Sequence, residues 1–553
     1  MRLLHTVRHL KPKQIYYRYI NSRRKKRYAR NSEKYRKVFE QEADRLGLER
    51  AVLCVSGGAE PGWLVRDHSE QGMYRTEDLL ENRFRFLHRE KELDPLNIWK
   101  RHEDMPLLWD FNLHYFEYVM LLDREGHQEK AVELIQDWIE KNPFWSEPAW
   151  HQFTVSFRLR YWAKFFMNNP DLLTGDIVRS MALQTVYLSR NPEFHLCANH
   201  LLENMITLMF TGLMFGNTML ISTYEPLLMQ ELKEQTNSAG GHYEGSFMYH
   251  LLILEGLADL HLMYRAAGRK CMYLTTSIKK WSGYLCRVLS RQGVFPLFGD
   301  AAQGIAAGPA ELHAYIAGNM DIPEMSPDNR VIDAHGLLIA EYENTYVAMN
   351  AQEPAPPYNP GHVHSDLCTF ELYCGSKPVI IDSGVFGYAE TEQRVRERGT
   401  YAHNTVLADG LEIHDVWGSF RMGRRSSVAS AETDTIRNRI KAAYRNRDIS
   451  VTREICVKSD RVEIADTIRG MRIEFETRFH FPAEYRLQNR ENGKFILSGS
   501  DLSIEISIPP DLKTVKELFF YSREFGKQET GTCLIVKGNT PQQKYMVEIK
   551  EDR

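Results

Sequence analysis

From about residue 70 to 320 apolar residues recur at spacings of three and four, in "HYFEYVMLLDREG", "KAVELIQDWIEKN", "FRLRYWAKFFMNN", "IVRSMALQTVYLSRN", "NHLLENMITLMFTGLMFG" and "MYHLLILEGLADLHLMYRAAG". That spacing puts the apolar side chains of each segment on one helix face. Short connectors carrying Gly, Pro or Asn, such as "NNPDLLTGD" and "NPEFH", separate the segments and predict a many-helix array of hairpins packed side by side. After about residue 330 the period falls to two, in "GLLIAEYENTYVAMNAQ", "CTFELYCGSKPVIIDSG", "SVTREICVKSDRVEIADTIRG" and "FETRFHFPAEYRLQ". Alternation, β-branched residues and turn signals such as "ENGK" and "LSGSD" predict a large antiparallel β domain, sheet on sheet. The order is helices first and strands second, and the seam between two such domains is where a ligand site is expected.

Length supports the division, because 553 residues exceed what one hydrophobic core sustains. The expected parts are a basic helical segment over residues 1–70, a helical domain over 71–325 and an antiparallel β domain over 326–553. With 43% apolar residues, 26% charged residues and a net charge near −3, the composition is that of a soluble globular protein. No run of apolar residues is long enough to predict a spanning helix. The eight cysteines, Cys54 among them, are scattered without a CxxC pair and read as buried free thiols of a reducing compartment. The first thirty residues hold eleven Lys or Arg and no acid. They lack the apolar core of a secretory signal, so a cytoplasmic location is expected, with a periplasmic or non-classically secreted one as the alternative. Apolar residues at Leu10, Ile15, Tyr16, Tyr17 and Ile20 predict a docked helix with a basic outer face; attraction to an anionic polymer is the second reading.

Three clusters carry candidate chemistry. In "HLCANHLLEN" His200 and Glu203 are three apart at the start of a helix, where the carboxylate would orient the imidazole, and Asn199 precedes them as an amide donor. An ordinary helix cap is the plainer alternative. In "GGHYEGSFMYHLLILEGL" a glycine-rich turn leads into a helix with Tyr243, Glu244 and Tyr249. A tyrosine exchanges protons near neutrality only when neighbours lower its pKa. In "GHVHSDLCTFELYCGSKPVIIDSG" the pair His362 and His364 reads as one face of a strand, with Asp366 continuing the row, Asp382 ending the next strand and His403 on a third. Imidazole and carboxylate at strand ends suit a divalent metal, zinc or manganese; structural histidines are the alternative. Arg394, Arg396 and Arg398 offer guanidinium groups for carboxylate or sulfate. Trp109, His114 and Trp150, with Tyr115 and Trp145, read either as sugar platforms or as core aromatics.

The motifs "ANHLLEN", "GGHYEGSFMYH", "GHVHSDLCTFELY", "VIIDSG" and "RGTYAHNTV" resemble, in order and rough spacing, those of the heparinase II/III family of polysaccharide lyases. "WDFNLHYFEYV" and "WHQFTVSFRLRYWAKFF" are similar to its N-terminal toroid, and the resemblance spans about residues 70 to 420. It implies an incomplete (α/α) toroid followed by an antiparallel β-sandwich, with a polymer cleft between them. It also implies cleavage of uronate-containing glycans of glycosaminoglycan type (hyaluronan, chondroitin sulfate, heparin or heparan sulfate) by β-elimination, leaving a 4,5-unsaturated uronate end. On the family's pattern Asn199, with His200 oriented by Glu203, neutralises the uronate carboxylate. Tyr249 is the acid, and the base for one epimer, with Tyr243 a weaker candidate. His362 is the alternative base. His364, Asp382 and His403 match ligands of a structural divalent ion, zinc first, then manganese or calcium, which would hold His362 in place. The implied partner is an anionic polysaccharide or oligosaccharide rather than nucleic acid, and a homodimer is allowed. The family's export signal is not visible here, which leaves intracellular turnover or a bacterial biosynthetic system as settings. Two rivals stand beside this reading: a glycoside hydrolase using Glu203 and Glu244 as paired carboxylates, and a non-catalytic glycan-binding protein of a capsule pathway.

Overall fold

The computed structural model describes residues 2–48, 62–66, 73–324, 328–471, 474–499 and 502–551. Cys54 and the expected boundaries at 70/71 and 325/326 lie outside the described residues. Helices dominate up to Ala317, and three large antiparallel sheets begin at Arg330. The toroid's main helices run from Leu107–Tyr115 through Gln152–Asn168, Gly175–Arg190, Ala198–Met214, Thr218–Gln235 and Phe247–Ala266 to Met272–Val288. Their apolar faces meet in one core cluster that includes Trp109, Trp138, Trp150, Trp162 and Trp281. The fold is an incomplete (α/α) toroid followed by antiparallel sheets.

A five-stranded sheet from Arg330–Ala334 to Lys377–Ile380 is a simple meander. An eight-stranded sheet spans Ser427–Asp434 to Gln542–Glu551, and a four-stranded sheet pairs Phe475–Phe481 with Lys527–Gly538 and Val406–Ala408. Strands such as Ile449–Val457 alternate strictly between buried and half-buried positions, as a sheet with one face on a core requires. Their inner faces form a second apolar cluster. Inside it Arg453 makes a two-pronged pair with Asp466 (2.7 and 2.8 Å) and donates to the carbonyls of Cys368 (2.9 Å) and Asn404. Asn404 in turn donates to the carbonyls of Phe370 (2.9 Å) and Ile381 (2.7 Å). These bonds tie the 361–369, 381–384 and 400–405 loops to the sandwich, so the loops that carry the candidate histidines rest on a rigid base.

Two features depart from the sequence reading. A β-hairpin, Arg83–Phe86 with Arg89–Glu92, interrupts the helical region. Its turn residues Leu87 and His88 both have positive φ, and His88 reaches Glu524 of the β domain at 2.9 Å. His362 and His364 lie in a loop, since the strand begins only at Phe370. Likewise Asp382 follows the strand Lys377–Ile380, and His403 caps the short 3-10 turn Thr400–Ala402. The helices Pro12–Arg30 and Ser32–Arg45 lie against the toroid through Lys25–Glu147 (2.7 Å), the Arg190–Glu42 pair and Asn217 Nδ2 donating to Leu46 O (2.7 Å).

Candidate active site

The helix Ala198–Met214 starts from a strained turn, with Cys197 at φ 60° and Ala198 at φ 52°. Two consecutive non-glycine residues at positive φ cost on the order of 1–3 kcal/mol each, and the turn they form sets Asn199 at the seam. The Phe247–Ala266 helix is capped by Ser246, whose hydroxyl accepts from the Tyr249 amide. That cap places Tyr249 on the first turn, facing the β domain. The loop around His362 is drawn onto the toroid by Gly299 and Asp300. Asp300 N donates to His362 O at 2.9 Å, and Gly299 sits at φ +60°, where an added Cβ would lie 2.6 Å from His362 O. Only glycine allows that approach.

Asp300 organises the site. One of its oxygens takes the His362 Nδ1 proton at 2.8 Å and an Arg394 N–H at 2.7 Å; the other takes His364 Nε2–H at 2.8 Å and a second Arg394 N–H at 2.6 Å. Burial by itself would favour the neutral acid, but Arg394 and the two imidazole bonds hold Asp300 well below the usual carboxylate range. An ionised carboxylate only accepts, so His362 carries its proton on Nδ1 and presents Nε2 as an acceptor. That Nε2 faces Asn199 Nδ2 at 3.3 Å, and the His362 side chain keeps 10% exposure while Asp300 has none. The Tyr249 ring lies on the His362 ring, centroids 4.1 Å apart, and its hydroxyl meets Tyr388 Oη at 2.9 Å. Burial, with Asp300 and Glu244 adding to it, raises the Tyr249 phenol, so it holds its proton. A lone pair and a donor proton therefore stand side by side at a half-open seam.

Across the opening, Asn199 Nδ2 donates to Glu244 Oε2 at 2.7 Å. His200 donates Nδ1–H to Glu193 Oε1 at 3.1 Å. Burial disfavours charge on His200, but Glu193 overcomes it and raises the imidazole pKa; Glu193 is held at about 2, chiefly by His200 working against burial. The pair offers an N–H donor with cationic character beside the Asn199 amide.

Several sequence assignments change here. Glu203 does not orient His200: it pairs with Arg160 at 2.9 Å inside the toroid, and burial pushes its carboxyl up to about 7. Glu193 takes the orienting role. With Glu203 in that pair and Glu244 bonded to Asn199, the two do not act as paired hydrolase carboxylates flanking an open cleft. Arg394 and Arg398 are buried and spent, the first on Asp300 and the second on the carbonyls of Gly418, Arg421 and Val363; Arg396 alone of the three is exposed. Trp109, His114 and Trp150 are core groups rather than sugar platforms. Trp109 Nε1 donates to Arg89 O (2.9 Å), His114 Nδ1 accepts from Trp138 Nε1 (3.0 Å), Trp150 Nε1 donates to Asn142 O (3.2 Å), and all three are essentially inaccessible. Tyr243 is half-buried, bonded to Tyr358 Oη at 2.8 Å. Asp300, Glu193 and Tyr388 were not singled out from the sequence; the only signal was a Gly-Asp pair closing the apolar run "VFPLFGD".

Beneath His362, His403 Nδ1 pairs with Asp382 Oδ2 at 2.8 Å, and the His403 and His364 rings are 5.4 Å apart. His364 Nδ1, His403 Nε2 and both oxygens of Asp366 are buried with no hydrogen-bond partner. Burial and the neighbouring Asp382 push the Asp366 carboxyl up to about 6 although His403 opposes them. Mixed imidazole and carboxylate donors left unsatisfied in a sealed site fit a divalent cation chemically. Among the described residues no three such side chains converge on a common point, and Asp382 is engaged by His403.

The site thus joins an Asn-His pair and a Tyr from the toroid to a His from the β domain. Residues 118–313 match the family model "Heparinase II/III N-terminus", and residues 324–550 match "Heparinase II/III-like, C-terminal". The chain belongs to the heparinase II/III family. By that membership it is a polysaccharide lyase, of the carbon–oxygen lyase class. Among solved structures, a heparinase III is 14% identical over 95% of this chain and 91% of its own, with a TM-score of 0.67. Another heparinase III gene product is 17% identical over 90% and 87%, TM-score 0.64. A mutant of the heparan sulfate lyase HepC from Pedobacter heparinus is 15% identical over 94% and 88%, TM-score 0.58. These likenesses show the shared fold. No curated protein matches the sequence significantly. Among the described residues no helix is long and apolar enough to cross a membrane.

Proposed function

We propose that this heparinase II/III family protein cleaves a uronate-bearing glycosaminoglycan-type chain by β-elimination, with His362 as base and Tyr249 as acid. The observation that carries the reading is the Asp300–His362–Tyr249 arrangement: an acceptor-only carboxylate fixes the proton on Nδ1, and the unprotonated Nε2, bonded only to the Asn199 amide at 3.3 Å, stands beside a phenol that keeps its proton. His362 Nε2 takes the C5 proton; the electrons form the C4–C5 double bond; the C4–O bond breaks, and Tyr249 protonates the leaving oxygen. Negative charge accumulating on the uronate carboxylate is met by the His200 N–H and by the Asn199 amide, which exchanges its bonds to Glu244 and His362 for the substrate. Acid and base contributed by different domains make catalysis depend on how the two halves meet. The heparinase III and heparan sulfate lyase names of the structural neighbours make a heparan-type polymer the first substrate to try.

The buried set beneath His362 is proposed to hold a structural divalent ion through His364, Asp382 and His403, zinc first, with manganese and calcium as alternatives. The unpartnered Asp366 oxygens add a fourth candidate donor. Such an ion would stiffen the loop two residues from the base.

The test is purified protein on hyaluronan, chondroitin and dermatan sulfates, heparin, heparan sulfate and alginate, followed by the ultraviolet absorbance of unsaturated uronate ends. Cleavage that appears with that absorbance and falls about 100-fold or more in Tyr249→Phe is expected; products with saturated ends only would refute elimination. Metal content of the same preparation, and of His403→Ala, checks the ion.

A further inference from the structure

The basic N-terminal segment lies outside both family matches, yet it touches both lips of the cleft. On the toroid side one face of the Pro12–Arg30 helix meets the loop that leads into Asn199. Gln14 Nε2 donates to Leu196 O (3.3 Å), and Asn21 Nδ2 meets His195 Nδ1 (3.0 Å). Arg18, four residues after Gln14 and three before Asn21, shares that face. Asn359, three residues before His362, donates to the same Leu196 carbonyl at 3.2 Å. On the β side the short helix Arg2–Val7 docks on the Val416–Met422 hairpin: Thr6 Oγ1 donates to Met422 O (2.9 Å), Trp417 Nε1 donates to Thr6 Oγ1 (3.3 Å), and Arg2 pairs with Asp415 (2.8 Å).

The same hairpin reaches the reacting groups. Phe420, 42% exposed, sets its ring edge-on to His362 at 6.1 Å and 5.2 Å from the Tyr388 ring. The next residue, Arg421, is exposed, with its guanidinium over the Trp417 ring at 4.6 Å. Arg398 holds this corner by donating to Arg421 O at 3.1 Å. Many cations of the segment have acidic partners: Arg2 with Asp415, Lys11 with Glu234, Lys25 with Glu147, Arg36 with Glu33. Arg18 and Arg421 have none among the described residues, and they lie within electrostatic reach of each other. Burial, the larger cause, and then Arg421 lower the Arg18 pKa. In a chain with a net charge near −3, an exposed arginine without acidic partner next to an exposed aromatic at the cleft mouth, with a second on the helix face that meets the loop leading into Asn199, is a local feature with a specific use.

We propose that Arg18 and Arg421, with Phe420 as an apolar platform, form an anionic-group subsite that grips a carboxylate or sulfate of the glycan on a sugar next to the scissile bond. The inference rests on the lyase reading for its ligand class and extends it to a segment the family matches do not include. A planar guanidinium meets either anion through paired N–H bonds, and a sugar face packs on an exposed ring.

Arg18→Gln, Arg421→Gln and the double variant are made in the full chain, with thermal midpoints compared to confirm folding. On the polymer cut fastest, each single change is expected to raise KM about two- to fivefold with kcat within twofold, the range for a partly exposed charged contact. Independently, calorimetric binding of heparan sulfate oligosaccharides to Tyr249→Phe protein, with and without the arginines, is measured at two salt concentrations. Weaker binding and a shallower salt dependence in the arginine variants support the subsite. An unchanged KM and salt dependence in the double variant overturns it, as does equal competition by a single-stranded polynucleotide of matched charge. If no polymer yields unsaturated ends, the lyase reading fails. The binding arm still decides the subsite, which stands if the arginines control oligosaccharide affinity and falls if they do not.

Discussion

Replacing Asp300 by asparagine removes one charge and almost no volume, so it isolates the carboxylate's role. Asp300 accepts four N–H groups, from His362 and Arg394 on one oxygen and from His364 and Arg394 on the other. An asparagine can accept at only one of those ends; at the other its NH₂ meets an imidazole N–H and a guanidinium N–H head-on. The clash at the imidazole is relieved by moving that ring's proton to its other nitrogen. If the ring is His362, the proton arrives on Nε2, where the base's lone pair must be. A base held in the wrong tautomer costs about 10³–10⁴ in kcat in comparable Asp–His systems, or about 4–5.5 kcal/mol of transition-state stabilisation. The buried Arg394 also loses its counter-charge, at a cost of about 3–5 kcal/mol of folding stability. The assay is kcat from unsaturated-uronate absorbance per folded molecule, alongside urea unfolding of both proteins. A loss of stability with kcat within threefold of the parent would refute the tautomer reasoning and leave Asp300 as a purely structural anchor.

Trp150→Ala is expected to cost about 3–5 kcal/mol of stability, as for a large buried aromatic, with KM unchanged in the folded fraction. A selective rise in KM without destabilisation would return Trp150 to the sugar platforms. Glu193→Gln removes an acid held at about 2 in the fold against about 4.5 unfolded. A lowered carboxylate stabilises above its unfolded pKa and loses that contribution as pH falls through the folded value. The variant is therefore expected to be about 3 kcal/mol less stable at pH 7, and only about 1 kcal/mol less at pH 3. Denaturant titrations at both pH values check this, and a difference that does not shrink toward pH 3 would contradict it.

Both domains were legible from periodicity, because amphipathic helices and half-buried strands write their burial into the chain as repeats of 3.6 and 2. The hairpin at 83–92 escaped because "RFRFLHREKE" is too short and too charged to stand out from its helical surroundings. The motif residues Asn199, Tyr249 and His362 were named from sequence, and the fold assembles them at one seam. What misled was local spacing. Glu203, three residues after His200, shares a helix face with it and still turns to Arg160, because a cation from a neighbouring helix in a dry interior outweighs proximity along the chain. Trp109, His114 and Trp150 read equally as platforms or core, since an aromatic's role depends on which side of a wall it faces. Arginines 394 and 398 looked like ligands for an anion, and one indeed found an anion, Asp300, while the other serves backbone carbonyls.

By itself the sequence determined the order of the two domains and the identities of the residues that can donate, accept or carry a proton, because those are properties of composition and period. Only the tertiary structure decided partnership: that Asp300 joins His362, His364 and Arg394, that Glu193 holds His200, and that the N-terminal arm meets both the Leu196 loop and the Val416–Met422 hairpin. Such pairings join residues tens to hundreds of positions apart. Each is settled by packing and by the need of every buried charge for a counter-charge, conditions that no window of sequence contains.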